Sequence, residues 1–361
     1  MFLYGAEKAS AQDIQPRQHL ESSAATAELA PAACKPKPGM LGVSRIVEID
    51  TSAGARFGLQ QYKENDFLKD GEVVLTFDDG PSRRNTRAVL EALASHCTRA
   101  TFFMVGQMAA SDPQMVREVA RQGHTVGVHT WSHRNLKAIG PDRAKREFEM
   151  SVSAVQGALG ARISPFFRFP YLADSGFMLN YLAERHFAVF SIDADSYDYR
   201  TRSASVMHNN IMRGLASRGK GILLFHDIQV STGRGIKGVL DTLAQKGFKV
   251  VHLVAKQRAT SVAAFDEAAQ AELARRSRST AMERRSIVYP ISGGDVPIVH
   301  FQPQPAAHAP EAVSHGGRMA SHVSSKRVHR ASEPSHKPPR APAGVSVRPV
   351  DANWPANVFN R

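Results

Sequence analysis

Five short clusters of polar residues in this sequence contain the ligands, acid and base that metal-assisted hydrolysis requires. Each cluster follows an apolar run of strand length, so each is expected where a strand ends. The clusters are Thr76–Gly80, His129–His133, Arg168–Tyr171, Asp195–Asp198 and Leu224–Asp227. In a parallel barrel the carboxyl ends of the strands meet at one face, where catalytic residues gather. The five clusters are therefore expected to form one site.

Two histidines and two adjacent carboxylates are the candidate metal ligands and base. His129 and His133 are four residues apart, and one helical turn would direct both imidazoles to one ion. Asp78 and Asp79 end a strand, where neighbouring side chains point in different directions, so one can bind metal and the other act as base. Two imidazoles and one carboxylate leave positions open for water and substrate, as in catalytic zinc sites. Non-haem iron uses the same ligand set, but the spare carboxylate favours hydrolysis.

Further polar residues supply an acid and its partners. His226 ends an apolar strand and can protonate a leaving group. Arg168 is expected to pair with Asp78 and to hold it ionised. Asp195 and Asp198 follow another strand, and one of them is expected to hydrogen-bond to His226. Asp198 is also a candidate substrate contact. Three apolar or aromatic side chains would wall a small pocket, although core packing explains each of them equally well: Trp131, Tyr171 and Leu224.

The elements that must position these residues alternate regularly between residues 72 and 256. Strands are predicted over 73–78, 100–105, 125–129, 166–169, 187–193, 221–226 and 248–254. Helices are predicted over 86–95, 113–122, 141–159, 175–185, 203–217 and 235–246. Continuous apolar runs are typical of strands buried on both faces. The pattern predicts an α/β fold, a distorted parallel (β/α) barrel with about seven strands. A doubly wound sheet is the alternative, less favoured because no Gly-x-Gly-x-x-Gly follows the first strand.

The catalytic domain predicted over 72–256 is flanked by less regular segments. Residues 1–40 are expected to be a flexible leader, and residues 41–71 an N-terminal extension that forms a hairpin bordering or plugging the barrel. A polar helix is predicted within 257–290. Residues 291–361 are basic and rich in Pro, His and Ser. Because such a segment buries little apolar surface, it is expected to be disordered.

Charge and cysteine content bear on partners and location. The net charge of +13 favours an anionic wall or membrane surface, whereas no motif with interleaved aromatic residues indicates nucleic-acid binding. No apolar run approaches the ~18 residues of a transmembrane segment. Export is expected, with an incomplete signal peptide, because Ala9–Ala11 has the spacing of a cleavage site without an apolar region before it. Outside the cell Cys34 and Cys97 could form a disulfide; in the cytoplasm, the alternative location, they would be thiols.

These residues closely resemble the polysaccharide deacetylase family, the NodB-type carbohydrate esterases. All five family motifs occur in the family's order between about Glu72 and Val254. The resemblance implies a hydrolase that removes acetyl groups, N-acetyl in the first place, from a polysaccharide such as chitin oligomers or peptidoglycan. It also implies one divalent metal ion, with Zn²⁺ favoured over Co²⁺, Ni²⁺ or Mn²⁺.

The resemblance assigns a role to each matching residue. Asp78 would be the general base and His226 the general acid. The metal ligands would be Asp79, His129 and His133. The supporting residues would be Arg168 to orient the base, Asp195 to tune the acid, Tyr171 N–H to stabilise the oxyanion and Leu224 to line the acetate pocket.

Two positions depart from the family pattern. Leu172 replaces a glycine after the third motif's tyrosine, and Tyr199 replaces a tryptophan at the end of the fourth motif. Both changes alter the rim of the site and put the identity of the substrate in question. Two alternatives remain: a related metal-dependent C–N hydrolase acting on a small amide, and a non-catalytic glycan-binding module.

Overall fold

The computed structural model describes residues 34–286 and 347–350, with side-chain burial for 34–278. The described strands are β1 (Arg45–Ile49), β2 (Arg56–Phe57), β3 (Glu72–Asp78), β4 (Thr101–Met104), β5 (Thr125–Val128), β6 (Phe166–Phe167), β7 (Ala188–Phe190), β8 (Ala194–Asp195), β9 (Gly221–His226), β10 (Lys249–Ala255) and β11 (Val347–Val350). The described α-helices are α1 (Arg83–Ser95), α2 (Gly106–Ser111), α3 (Pro113–Arg121), α4 (Pro141–Leu159), α5 (Gly176–Glu184), α6 (Ala204–Arg218), α7 (Val230–Gln245) and α8 (Ala263–Ser286). Within these residues no helix is both long and apolar enough to span a bilayer.

The central strands form a parallel barrel. Their order is β8–β9–β3–β4–β5–β6–β7, with β2 beside β7. Asp193 lies in the short connection from β7 to β8, and its carboxylate accepts hydrogen bonds from Leu59 N at 2.6 Å and Ile222 N at 2.7 Å. These two bonds link the segment after β2 to β9, at the place in the barrel where β2, β7 and β8 are too short to pair continuously. The distorted parallel barrel predicted from the sequence is confirmed.

Successive side chains of each strand point to opposite faces of the sheet, and this divides the apolar core into two parts. In β3, Val74 packs inside the barrel with Phe103 and Phe166. The neighbouring residues Val73 and Leu75 pack on the other side, in the larger cluster beneath the helices. Because a parallel strand is covered on both faces, every residue of β3 is buried. Each large apolar side chain buried in this way contributes about 1.5–3 kcal/mol.

The N-terminal extension does not form the predicted hairpin. Instead β1 pairs in parallel with β10, and β2 pairs in parallel with β7. Val47 of β1 and Leu253 of β10 join the cluster inside the barrel. The extension therefore completes the inner core rather than folding on itself.

The flanking segments are described only in part. The polar helix predicted within 257–290 is α8. Residues 347–350, predicted to be disordered, form β11, which pairs antiparallel with β1. The rest of the 291–361 tail lies outside the described residues, as does the leader up to residue 33. Cys34 and Cys97 are joined by a disulfide with a Cα–Cα distance of 5.4 Å, which ties the start of the described chain to the turn after α1.

The barrel brings the predicted clusters to one end. Asp78 and His226 are register partners at the ends of β3 and β9. His129 follows the last residue of β5, and Arg168 follows the last residue of β6. Three of these four side chains are buried, and His226 is nearly so.

Candidate active site

Asp79, His129 and His133 form a cluster that can hold a metal ion. Asp79 Oδ1 lies 3.5 Å from His129 Nε2 and 3.2 Å from His133 Nε2. Ligands on a tetrahedral zinc ion with bonds of 2.0–2.1 Å are roughly 3.3 Å apart. Asp79 Oδ1 is buried and accepts no hydrogen bond within the described part of the chain. Since an unpaired buried carboxylate oxygen is costly, the donor set fits a divalent cation.

The two histidines are brought together by a loop, not by the helical turn that their spacing predicted. Residues 129–133 are not helical, and both Thr130 (φ 66°) and His133 (φ 58°) have left-handed backbone conformations. Such conformations are strained for residues other than glycine. Glu147 of α4 holds the loop, since its carboxylate accepts hydrogen bonds from Ser132 N at 2.8 Å and Ser132 Oγ at 2.7 Å.

His129 is prepared as a neutral ligand. Its Nδ1 donates to the carbonyl oxygen of Arg168 at 2.7 Å, which leaves the lone pair of Nε2 directed at Asp79 and His133. Burial lowers the pKa of His129 to about 3, and the charge of Asp79 only partly opposes this. The ring is therefore uncharged at neutral pH, as metal ligation requires.

Asp78 is paired with Arg168, as predicted. Arg168 Nη1 donates to Asp78 Oδ1 at 2.7 Å, and both side chains are almost completely buried. The guanidinium also donates to Thr76 Oγ1, Phe190 O and Ser191 O. Burial raises the pKa of Asp78, while the charges of Arg168 and His226 oppose the rise. With Oδ1 occupied, Oδ2 is the free oxygen, and it lies 3.9 Å from His129 Nε2.

His226 is held by Asp198, not by Asp195. Its Nδ1 donates to Asp198 Oδ1 at 2.7 Å, and its backbone N–H donates to Asp198 Oδ2 at 2.7 Å. Burial alone would lower the pKa of His226, but the hydrogen bond and charge of Asp198, together with the charges of Asp78 and Asp79, raise it to about 9. The imidazole is therefore protonated at neutral pH. The partner of His226 is thus Asp198, whereas the resemblance gave the tuning role to Asp195. The side chain of Asp198 is completely buried.

Asp195 instead organises the rim. Its Oδ1 accepts from Tyr197 N at 2.8 Å, and its Oδ2 accepts from Tyr199 Oη at 3.1 Å. The ring of Tyr199 stands edge-on to His226, with 5.3 Å between centroids. The substitution of tyrosine for the family's tryptophan thus places a hydroxyl on Asp195 while an aromatic ring still covers His226.

Tyr171 lies next to the metal ligand candidate His133, and Leu224 lies in β9 close to His226 in sequence. Tyr171 is 68% exposed, with its ring 4.8 Å from the ring of His133. Its backbone is left-handed, with φ 59°. Leu224 is buried in β9, two residues before His226, so both side chains face the same side of the sheet.

Trp131 borders a cavity of about 400 Å³ between α4 and α8, together with Arg146, Met150 and Phe265. The guanidinium of Arg276 lies 5.8 Å from its ring. The contact of Trp131 with substrate stays a prediction.

Asp227 belongs to the fifth predicted cluster, but no role was predicted for it. It is buried beside Gly80, where an added Cβ would lie 2.3 Å from both carboxylate oxygens, so only glycine fits. Burial, with the charge of Asp79, raises the pKa of Asp227 to about 7, although Thr86 Oγ1 donates to it. Its position directly after His226 at a strand end was the available signal. Glu147 gave no such signal, since it is one of several acids on an ordinary helical face.

Comparison with known proteins agrees with this geometry. The family model described as polysaccharide deacetylase matches residues 67–189. A chitooligosaccharide deacetylase of Azorhizobium caulinodans is 35% identical over 159 residues, which cover 43% of this chain and 73% of that protein. A peptidoglycan-N-acetylglucosamine deacetylase of Bacillus cereus is 33% identical over 173 residues, which cover 48% of this chain and 60% of the relative.

The fold has a counterpart among solved structures. A peptidoglycan deacetylase of Bdellovibrio bacteriovorus superposes with a TM-score of 0.55 at 31% identity, covering 63% of each chain. This chain spans only part of the length of several curated relatives, including 60% of the Bacillus cereus protein. The shared barrel and the extent of identity with the Azorhizobium protein lead to one conclusion: the chain belongs to the polysaccharide deacetylase family.

Proposed function

We propose that this protein is a metal-dependent hydrolase that removes N-acetyl groups from a polysaccharide such as chitin oligomers or peptidoglycan. The observation that carries the proposal is the juxtaposition of the Asp79–His129–His133 cluster with two oppositely prepared groups. Asp78 is an oriented carboxylate with one free oxygen, and His226 is a protonated imidazole. The relatives named as deacetylases of chitooligosaccharides and peptidoglycan support this substrate class.

Asp79, His129 and His133 would hold the ion, and Zn²⁺ suits two neutral imidazoles and one carboxylate. When bound, such an ion polarises the acetyl carbonyl and acidifies a water molecule. Asp78 takes the proton of the attacking water through Oδ2, because Arg168 occupies Oδ1. Tyr171 N–H is the proposed donor to the developing oxyanion, and Leu224 the wall against the acetyl methyl group.

His226 completes the reaction. Since Nδ1–H is bound to Asp198, the proton available to the departing amine is on Nε2. The pKa of about 9 keeps that proton in place at neutral pH. An amine is a poor leaving group unless it is protonated, so the acid is required for cleavage of an amide in particular.

We further infer that the protein acts outside the cytoplasm. Cys34 and Cys97 form a disulfide, a bond that persists in oxidising compartments and is rare in cytosolic proteins. The net charge of +13 supports attraction to an anionic wall or membrane surface. Both features agree with a substrate in the cell wall.

Release of acetate from chitin oligomers, peptidoglycan and acetylated xylan tests the proposal. Asp78→Asn should lower turnover at least about 100-fold, since general base catalysis contributes roughly 10²–10⁴-fold. The variant should bind Zn²⁺ as the wild type does, because the three ligands are unchanged. A fully active Asp78→Asn variant, or acetate release from small amides alone, would contradict the proposed roles or the substrate class.

A further inference from the structure

Arg200 lies on two exposed aromatic rings at the rim of the site. It ends the short turn Asp198–Arg200, and its Cζ lies 5.3 Å from the ring centroid of Tyr197 and 5.4 Å from that of Tyr199. The two tyrosines are 43% and 44% exposed. A guanidinium supported by two rings loses conformational freedom before any ligand arrives, which favours binding.

The charge of Arg200 is available to a ligand. Within residues 34–278, no carboxylate lies within ion-pair distance of its guanidinium. Asp195, the acid held between the same two tyrosines, already accepts hydrogen bonds at both oxygens. The planar guanidinium offers five N–H donors in a fork that matches a carboxylate.

This cation is close to the reacting groups. The ring of Tyr199 contacts both His226 and Arg200. His226 is the proposed donor to the sugar nitrogen, so Arg200 is two ring contacts away from the sugar that loses its acetyl group. That separation suits a substituent on the adjoining sugar of a glycan chain.

We propose that Arg200 binds a carboxylate carried by the sugar next to the one that is deacetylated, with Tyr197 and Tyr199 supporting the guanidinium. The inference rests on the proposed deacetylase function and specifies its substrate: a glycan in which N-acetylated sugars alternate with sugars bearing a lactyl carboxylate. A neutral chitin oligomer lacks this group and leaves Arg200 without a partner.

The test is Arg200→Gln in the full chain, assayed by acetate release on two fragments of equal length. One fragment is a chitin oligomer, and the other is a peptide-free glycan with lactyl carboxylates. We expect kcat/KM to fall about 10-fold on the acidic fragment through a higher KM, and to stay unchanged on the neutral one. The difference should shrink between about 0.05 M and 0.5 M salt, where charge interactions are screened.

Arg202→Gln is the matched control, because Arg202 is also exposed and its loss changes the net charge equally. It should leave the ratio of the two substrates unchanged. Arg200→Lys should recover only part of the preference, since an ammonium lacks the fork. Amidation of the lactyl groups should make the acidic fragment behave like the neutral one.

Equal effects of Arg200→Gln on both fragments, or no effect on either, would overturn the inference. So would an effect seen only when stem peptides are attached, because the carboxylate would then belong to the peptide. Absence of acetate from both fragments with the wild type would refute the proposed function instead. In that case, calorimetric binding of the two fragments to wild type and Arg200→Gln would still decide whether Arg200 binds the carboxylate.

Discussion

At the residue scale, two histidines of one site have opposite protonation because their partners differ. His129 donates to a backbone carbonyl in a buried position, and its pKa falls to about 3. His226 donates to a buried carboxylate, and its pKa rises to about 9. Environments that separate the pKa values of two histidines in this way suit one to bind metal as a neutral ligand and the other to donate a proton.

Asp198→Asn should therefore change the pH profile of acetate release. Without the carboxylate, burial dominates and lowers the pKa of His226. The alkaline limb of kcat/KM should move to lower pH by at least about one unit, and at pH 10, above both pKa values, activity should fall roughly tenfold for each unit. Because the folded pKa of His226 is raised from 6.5 to about 9, the wild-type pair stabilises the fold fully below about pH 6.5. That stabilisation is lost as the pH rises through 9.

Asp195→Asn serves as the comparison for this prediction. Asp195 touches Tyr197 and Tyr199 rather than His226, so its variant should shift the alkaline limb much less. An equal shift in the two variants would mean that Asp198 has no special role, and an unchanged profile in Asp198→Asn would remove His226 as the acid.

The sequence located most of the site residues but not all of their partners. Asp78, Asp79 and His226 were predictable because each ends a buried apolar run, and strand ends meet in a parallel barrel. The choice between Asp195 and Asp198 was not, since the left-handed backbone of Tyr197 (φ 49°) decides which carboxylate turns inward. The position of Trp131 depends in the same way on Thr130.

At the element scale, α4 is the support for the metal cluster. Its Glu147 carboxylate binds both polar groups of Ser132, and its backbone carbonyl accepts from Trp131 N at 2.8 Å. The loop that carries His129 and His133 is thus anchored to α4 through Trp131 and Ser132. Outer contacts of this kind orient ligands and affect metal affinity.

Glu147→Gln should weaken metal binding without unfolding the protein. The amide replaces two charged acceptor oxygens by one neutral oxygen, so the bonds to Ser132 weaken, the strained loop relaxes and His133 loses its fixed position. We expect the Kd for Zn²⁺, measured by competition with a chelator, to rise about 10–100-fold. The thermal midpoint of the metal-free protein should change little.

Asp142→Asn, an exposed charge change on the same helix, is the control and should leave the Kd unchanged. Should Glu147→Gln bind metal as tightly as the wild type, the loop would not depend on α4. A large drop in the metal-free midpoint would indicate a general role in packing instead.

The positions of the strands and helices in the sequence were largely predictable, whereas the strand with which β1 pairs was not. Alternating apolar strands and amphipathic helices located β3 to β7, β9 and β10 to within a few residues, whereas the two-residue strand β8 was not predicted. The pattern of Arg45–Ile49 indicated a strand, but strand periodicity contains no information about the partner. Its partner, β10, lies at the far end of the barrel domain, so the simpler expectation of a hairpin was wrong.

At the scale of the whole molecule, a covalent bond joins the N-terminal segment to the barrel. Cys34 and Cys97 are 63 residues apart in sequence. The cysteine count allowed this pairing but could not establish it, because a thiol pair in a reducing compartment has the same sequence. The pairing also encloses β1, β2 and β3 in one loop.

The double variant Cys34→Ser, Cys97→Ser should lower the free energy of unfolding by about 4 kcal/mol, since the bond restricts the unfolded chain over a long loop. Urea unfolding measures this loss. Acetate release at 25 °C should be retained, because neither cysteine contacts the site. Reducing agent should destabilise the wild type by a similar amount and have no effect on the double variant; destabilisation of both would point to a cause other than this bond.

Arg168 contributes both to the proposed active site and to the stability of the barrel. Its guanidinium orients Asp78, the proposed base, and also ties the end of β6 to β3 and to the residues after β7. Mutations that abolish the proposed activity should therefore be tolerated first at the more exposed His133, while selection for folding alone would retain Arg168 and Asp78. Related chains that have lost catalysis should therefore keep the pair of Arg168 and Asp78. The presence of this pair is weak proof that a related chain is still active.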